Sequence, residues 1–297
     1  MRLTNRLMAD TVLNSLYKST QQLLKLQEVV SSRKRINRPS DDPVGTGKIL
    51  DYRKVLSSID QYNTNITRGK TQIELTESCL EAIDDLVLKA RRIAVEQSAG
   101  ELETRPTAAQ EVKNIYDQIL QLANTKLGNT YILSGHQTDT APFSRDADYN
   151  ATYHGDDGDI RIIVGDNLDI KINVTGEDAL RSGVDVFNAL RDLINGLEDP
   201  DTIAGTAQIG TQVTPLSNAL DQIKAVRAEA ASMFIQLETT ENQLANFKLN
   251  IEDMLSDTED ADMAQTIVEL QVQQTAYETS LATAARILQR SLMDFLR

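Results

Sequence analysis

The fold is decided by residues 52–94, which have the sequence YRKVLSSIDQYNTNITRGKTQIELTESCLEAIDDLVLKARRIA. Steps of alternately three and four residues through this stretch land on apolar side chains, interrupted only by Gly69 and Thr76. This spacing predicts a helix of roughly 60 Å or more, at ~1.5 Å per residue, that packs along another long helix. The positions on the apolar face are Tyr52, Val55, Ile59, Tyr62, Ile66, Gly69, Ile73, Thr76, Leu80, Ile83, Val87, Ala90 and Ala94.

A partner helix of matching length is predicted in the last third of the chain. No Gly or Pro occurs from Leu216 to Arg297, which strongly favours helix. The same spacing recurs there at Ile223, Val226, Ala230, Met233, Leu237, Thr240, Leu244, Phe247, Ile251 and Met254. A shorter apolar run from Val112 to Ala123, preceded by Thr104-Arg105-Pro106, predicts a third helix.

The two chain ends carry shorter apolar stripes, which we expect to pack together and to take part in assembly. Residues 1–38 carry eight Lys/Arg and two Asp/Glu, net +6, whereas residues 252–297 carry three and nine, net −6. Screening weakens surface attraction, so the stripes must supply most of the stabilisation. The positions are Leu13, Leu16, Leu23 and Val30 in the first helix, and Ile267, Leu270, Tyr277, Leu281, Leu288 and Phe295 in the last.

The middle of the chain differs from both ends. Six of the fourteen glycines lie between about Gly128 and Gly176, and IRIIVG and LDIKINV are β-branched runs bounded by Gly, Asn and Asp. We therefore predict a mainly α protein with a small β-rich insertion, built as an elongated rod of long antiparallel helices from both chain ends. Its predicted parts are residues 1–42 with 256–297, residues 43–134 with 183–255, and a β-rich part at 135–182.

The stretch INRPSDDPVG, residues 36–45, joins the basic first helix to the second. Its adjacent aspartates, Asp41 and Asp42, could suggest catalysis or metal binding. Because Pro43 suits the first helical position and pushes Asp42 out of the helical region, Asp42 is better explained as a helix cap. Pro39 restricts the backbone of the segment that leads to the second helix. A second break is predicted within IEDMLSDTEDAD, residues 251–262, where Ser256 or Asp257 could cap the last helix.

Composition excludes several classes of function. A net charge of −14 argues against nucleic acid as a partner, and no apolar run is long enough for membrane insertion. The N-terminal sequence lacks the pattern of a cleavable signal peptide. Cys79 is the single cysteine and is expected to be a buried small side chain, and there are two histidines, His136 and His154. We predict no catalytic residues, no metal site and no cofactor, although HGDDGD (154–159) superficially resembles a calcium loop.

The last helix carries little charge for a helix exposed to water. Between Met263 and Ala285 only Glu269 and Glu278 are charged. Since one chain offers only one partner helix, further copies or related subunits are expected to cover its other faces.

Four motifs then resemble the flagellin superfamily, in order along nearly the whole chain. They are RINRPSDDPVG, NTYILSGHQTDTAPF, YHGDDGDIRI and the C-terminal IEDMLSDTEDADMAQTIVELQVQQTAYETSLATAARILQRSLMDFL. Within that superfamily they are most similar to the hook-associated proteins that join hook and filament. The resemblance implies a structural, non-enzymatic subunit that lies outside the cell after uncleaved export through the flagellar type III apparatus.

The same resemblance implies partners. These are copies of the chain in a ring, a neighbouring hook-associated protein, flagellin, and a cytoplasmic export chaperone at the C-terminal helices. Two alternatives stay open: flagellin itself, which shares the terminal helices and a related joint, and a coiled-coil adaptor that remains in the cytoplasm. An enzyme with a carboxylate or metal site has no motif in its support.

Overall fold

The computed structural model describes residues 2–99 and 102–295, with the side chains of residues 2–6, 8, 9 and 287–295 left outside the description. Long helices dominate both ends of the chain, and short strands lie between them. The helices are α1 (Arg2–Ser32), α2 (Pro43–Ser98), α3 (Arg105–Ala123), α4 (Gly176–Leu180), α5 (Val186–Glu198), α6 (Thr202–Glu259) and α7 (Met263–Phe295). The strands are β1 (Lys126–Leu127), β2 (Thr130–Tyr131), β3 (Phe143–Arg145), β4 (Ala151–Tyr153), β5 (Arg161–Gly165) and β6 (Leu168–Lys171).

The stripe predicted on α2 is the face that α2 buries. From Ile59 to Ala94 every predicted position except Tyr62 is buried. Burial of each Ile or Leu contributes about 1.5–3 kcal/mol, so this face supplies much of the stability of the helix. The order of helices and strands confirms the mainly α class with long helices from both ends.

The partner helix α6 begins earlier than the glycine- and proline-free stretch. It starts at Thr202, where Asp201 caps it by accepting the N–H groups of Ile203 (2.9 Å) and Ala204 (3.3 Å), and it continues through Pro215. A proline inside a helix costs roughly 3 kcal/mol, because it lacks an N–H and crowds the preceding turn. Burial of Ile209 and Leu216, on either side of Pro215, offsets this cost.

The β-rich part consists of three antiparallel two-stranded sheets, β1–β2, β3–β4 and β5–β6. The strands predicted from IRIIVG and LDIKINV are β5 and β6. At Gly69, a Cβ atom would lie 2.8 Å from Ile162 Cδ1 and 3.0 Å from Ile172 Cγ2. The interruption of the stripe at Gly69 therefore has a cause that the helix pattern did not show: the β5–β6 hairpin approaches α2 at this point.

Aromatic side chains gather where α3, α5 and the β3–β4 hairpin meet. The ring of Tyr116 lies 5.1 Å from that of Tyr149 and 5.2 Å from that of Phe187, and Phe143 lies 5.0 Å from Tyr153. Edge-on and tilted contacts at these distances stabilise a core beyond area burial alone. A protein with few aromatic residues concentrates several of them here.

The chain packs as two compact units, residues 1–58 with 246–297 and residues 59–245. In the second unit, ion pairs join α2 to α6: Lys70 Nζ lies 2.6 Å from Glu241 Oε2, and Arg227 Nη2 lies 2.7 Å from Glu77 Oε1. In the first unit, α1 packs against α7. None of the described helices combines the length and apolar character that a bilayer span requires.

Candidate functional site

The joint between α1 and α2 is built around Asp42. Pro43 is the first residue of α2, and Asp42 Oδ1 accepts hydrogen bonds from the N–H groups of Val44 (3.1 Å) and Gly45 (2.9 Å). These are two of the N–H groups that a helix start leaves without a partner. Asp42 therefore acts as a helix cap.

Asp41 ties the joint to α1. Its Oδ1 lies 3.0 Å from Lys25 Nζ, and its Oδ2 accepts the N–H groups of Asn37 (3.3 Å) and Arg38 (3.1 Å). The bond from Lys25, followed by that from the Arg38 N–H, lowers the pKa of the Asp41 carboxyl. The carboxylate form is thus the one that holds the loop.

Gly45 allows the joint to close onto the helix. A Cβ atom at this position would lie 2.6 Å from Ile36 Cδ1 and 2.6 Å from Asp42 Oδ2. Ile36 is buried against this turn, whereas Pro39 is exposed at the outer edge of the loop. The space that glycine leaves is therefore filled by Ile36, the buried apolar side chain of the joint.

Glu259, the last residue of α6, was not singled out from the sequence. Its Oε1 lies 2.6 Å from Lys34 Nζ and 2.6 Å from Arg53 Nη2, and its side chain is 7% exposed. Two backbone hydrogen bonds accompany these ion pairs: the Arg35 N–H donates to the Glu259 carbonyl (2.7 Å), and the Ala261 N–H donates to the Arg33 carbonyl (3.0 Å). This arrangement, which we call the Glu259 clasp, fastens the end of α6 to the joint and to α2.

The break before α7 is capped by Asp262 rather than by Ser256 or Asp257. Asp262 Oδ1 accepts the N–H groups of Ala264 (2.9 Å) and Gln265 (3.1 Å). Ser256 and Asp257 lie inside α6, which continues to Glu259 because its last turn is held by the clasp. The acidic run contains a break, and the residues expected to cap it lie five and six positions before the one that does.

The seam between α1 and α7 combines apolar and polar side chains. Half-buried positions on α1 include Leu16, Leu23 and Val30. On α7 the positions turned inward follow the spacing Met263, Thr266, Leu270, Gln273, Tyr277, Ser280 and Ala284. Gln273 Nε2 donates to the carbonyl of Ser19 (3.2 Å), to its Oγ (3.0 Å) and to Gln22 Oε1 (3.2 Å). Leu270 and Tyr277 lie in this seam, and Ile267 and Leu281 lie outside it.

Both terminal helices keep a second apolar face exposed. On α1, Leu13, Tyr17 and Leu24 follow one another at spacings of four and seven residues and are all exposed. On α7, Ile267, Val268 and Val272 are 49%, 60% and 64% exposed, and Leu281 is 43% exposed. The side chains of Leu288 and Phe295 lie outside the described residues. Exposed apolar faces of this kind mark surfaces that another molecule covers.

Residues that could carry chemistry have structural partners instead. Within the described ranges, no group of three or more His, Cys, Asp or Glu side chains is placed to hold a metal ion. His136 Nε2 lies 3.1 Å from the Asp159 carbonyl, and His154 Nε2 lies 2.7 Å from Ser144 Oγ on an exposed hairpin. Cys79 is buried and donates to the Leu122 carbonyl (2.9 Å), and burial raises the pKa of its thiol.

Comparison with known proteins gives a consistent family. The model of the bacterial flagellin N-terminal helical region matches residues 4–138, and that of the bacterial flagellin C-terminal helical region matches residues 213–296. Flagellar hook-associated protein 3 of Escherichia coli (strain K12) is 27% identical over 94% of this chain and 95% of its own. The protein of the same name from Salmonella typhimurium is 25% identical over 100% of both chains. The solved structure of the flagellar junction protein FlgL from Legionella pneumophila, 17% identical, covers 73% of this chain and 100% of its own with a TM-score of 0.61.

Proposed function

The chain belongs to the flagellin family, and we propose that it is a structural subunit of the bacterial flagellum that forms the junction between hook and filament. The observation that carries the proposal is the pair of exposed apolar faces on α1 and α7, one on each terminal helix. A structural subunit uses such faces for assembly, and flagellin-family proteins are structural proteins rather than enzymes.

The apolar side chains that the seam between α1 and α7 leaves exposed would be covered on assembly. In one chain, Thr266 is buried and Gln273 bonds Ser19 of α1, while Ile267, Val268 and Val272 stay exposed. Covering these side chains with neighbouring subunits removes apolar surface from water at about 25 cal/mol per Å². The terminal helices of many copies therefore stabilise one another along a common axis. In this arrangement residues 1–42 with 256–297 form an inner layer, 43–134 with 183–255 an outer α layer, and 135–182 the outermost part.

The partners follow from the same role. Copies of the chain form a ring, with a neighbouring hook-associated protein on one side and flagellin on the other. Before export, a cytoplasmic chaperone covers the exposed face of α7. The chain then passes through the flagellar export apparatus and lies outside the cell.

Deletion of the gene tests this function. We expect cells that keep hooks, lose filaments and release filament subunits into the medium, and a labelled copy that lies between hook and filament. A deletion strain that keeps filaments on its hooks contradicts the junction role. Label along the whole filament instead indicates flagellin, and intact protein confined to the cytoplasm of cells with a working export apparatus indicates an adaptor.

A further inference from the structure

We propose that copies of this chain contact one another head to tail, with an acidic face of α6 on one copy entering a basic pocket at the joint of the next. The proposal rests on the proposed function and names a contact within that assembly. Both surfaces belong to the unit of residues 1–58 and 246–297. They are separate from the exposed apolar faces of α1 and α7.

The basic joint pocket has a volume of about 190 Å³ and is lined by Lys34, Arg38, Arg53, Leu50 and Glu259, among others. Both Lys34 and Arg53 bond the same oxygen of Glu259, and Arg38 also lines the pocket, so the lining carries three cations and one carboxylate. Positive charge is therefore in excess inside the pocket. Arg38 is the most accessible of the three cations, with a side chain that is 68% exposed and paired with Glu28 outside the pocket lining.

The pocket also offers apolar surface. Leu50 is 61% exposed at its wall, beside the buried Ile49. A pocket with an apolar wall and a cationic rim suits an apolar side chain that is flanked by carboxylates. A small free anion would leave Leu50 in water.

The acidic α6 face comprises Leu249, Glu252, Asp253 and Asp257. The first three follow the spacing i, i+3, i+4 and therefore share one side of the helix. Leu249 is 60% exposed, and the three acids are exposed. Within the part of the chain that the structure describes, no hydrogen bond or ion pair engages these three carboxylates. The face thus presents an apolar side chain among unpaired negative charges, which is the complement of the basic joint pocket.

In the proposed arrangement the pocket of each copy takes the acidic face of the next copy, and this one-way contact is heterologous. Contacts of this type propagate from copy to copy and give a ring or a helical array, as a junction layer requires. Opposite charges also raise the rate of encounter and set the register of the contact. Phosphate-rich partners are disfavoured because the whole chain carries a net charge of −14.

Charge reversal tests the contact in the deletion strain complemented with the full-length chain. The variants are Arg38→Glu, Asp253→Lys and the double variant with both changes, each expressed alone. The readout is the amount of the chain in isolated flagella, with the fraction of cells that carry filaments. We expect each single variant to lower incorporation about tenfold, the effect of losing a close interfacial charge pair. The double variant should recover most of it, because the reversed charges again attract.

Control variants separate this contact from general effects. Lys54→Glu and Asp221→Lys change exposed charges outside both surfaces and should leave incorporation unchanged. Circular dichroism of each purified chain checks folding, and Asp253→Lys keeps the test open if Arg38→Glu disturbs the joint. Normal incorporation of the single variants overturns the proposal, and so does a double variant as defective as folded single ones. Failure of the wild-type chain to reach the hook–filament junction overturns the proposed function and this contact with it, so the two failures are distinguishable.

Discussion

At the scale of single residues, the joint shows how neighbouring side chains of one type take different roles. Asp42 binds the first N–H groups of α2, whereas Asp41 binds Lys25 on α1 and the backbone of the loop. Both are carboxylates used as hydrogen-bond acceptors. Among the described residues, neither belongs to a group of three or more His, Cys, Asp or Glu side chains that could hold a metal ion.

Removing the cap should weaken the protein by a predictable amount. Asp42→Ala leaves the N–H groups of Val44 and Gly45 without their acceptor, and we expect a loss of about 1 kcal/mol in the free energy of unfolding. Asp42→Asn keeps a side-chain oxygen in the same place and should cost much less. Urea unfolding of the two variants checks this, and equal losses would show that the negative charge matters more than the hydrogen bonds.

Two glycines near the start of α2 should respond to alanine with stability changes of opposite sign. Gly45→Ala places a methyl group against Ile36 and Asp42 and should destabilise the protein by about 1–3 kcal/mol. At Gly47 nothing lies within 4 Å of an added Cβ, so Gly47→Ala should stabilise by about 0.5–1 kcal/mol through helix propensity. Thermal unfolding of the pair measures both changes. A Gly45→Ala protein as stable as Gly47→Ala would contradict the close packing at the joint.

At the scale of elements, the helices differ in how completely they are covered. The long stripe of α2 is buried from Ile59 onward, whereas α7 turns Thr266 and Gln273 toward α1 and leaves Ile267 and Val272 in water. A helix that hides polar side chains and exposes apolar ones is incompletely partnered. Its remaining contacts come from outside the chain in the proposed assembly.

A substitution at Leu281 should impair assembly without impairing folding. Because its side chain is 43% exposed, Leu281→Asp should change the free energy of unfolding by no more than about 0.5 kcal/mol. Incorporation into flagella should nevertheless be blocked, since a carboxylate without a partner is costly to bury in a shared seam. Leu281→Met is the matched control and should assemble normally. Normal incorporation of Leu281→Asp would remove Leu281 from the assembly surface.

At the scale of the whole molecule, stability should be distributed unevenly between the two units. Residues 59–245 hold the large buried core, including Leu80, Val112 and Leu190, while α1 and α7 share a half-buried seam. Backbone hydrogen bonds of α1 and α7 therefore open more easily than those of α2. The soluble chain should behave as a stable core with weakly held ends.

Hydrogen exchange of the monomer measures this difference. We expect fast exchange in residues 1–38 and along α7, and slow exchange in α2 between Ile59 and Ala94. The same amides should become protected in isolated flagella, where neighbouring copies cover the ends. Protection of residues 1–38 as strong as that of the core helices in the monomer would contradict the prediction.

The sequence by itself determined the apolar faces of the long helices and the way that α2 starts. Spacings of three and four residues place side chains on one helix face whatever the rest of the chain does, so the stripe from Tyr52 to Ala94 predicts its own burial. The cap at Asp42 is equally local, because Pro43 and the adjacent N–H groups lie within three residues of it. The runs that became β5 and β6 were visible for the same reason.

Tertiary structure decided which contacts those elements make. Gly69 interrupts the stripe because the β5–β6 hairpin packs close to α2 at this position. Pro215 lies inside α6 because burial of the residues on both sides outweighs the cost of a proline within a helix. Two further features depend on residues more than two hundred positions apart. One is the rotation of α7, which buries Thr266 instead of Ile267. The other is the pair of ion pairs from Lys34 and Arg53 to Glu259. Local patterns state which faces are apolar, and only the balance of long-range contacts selects the face that a single chain buries and the one it leaves for a neighbour.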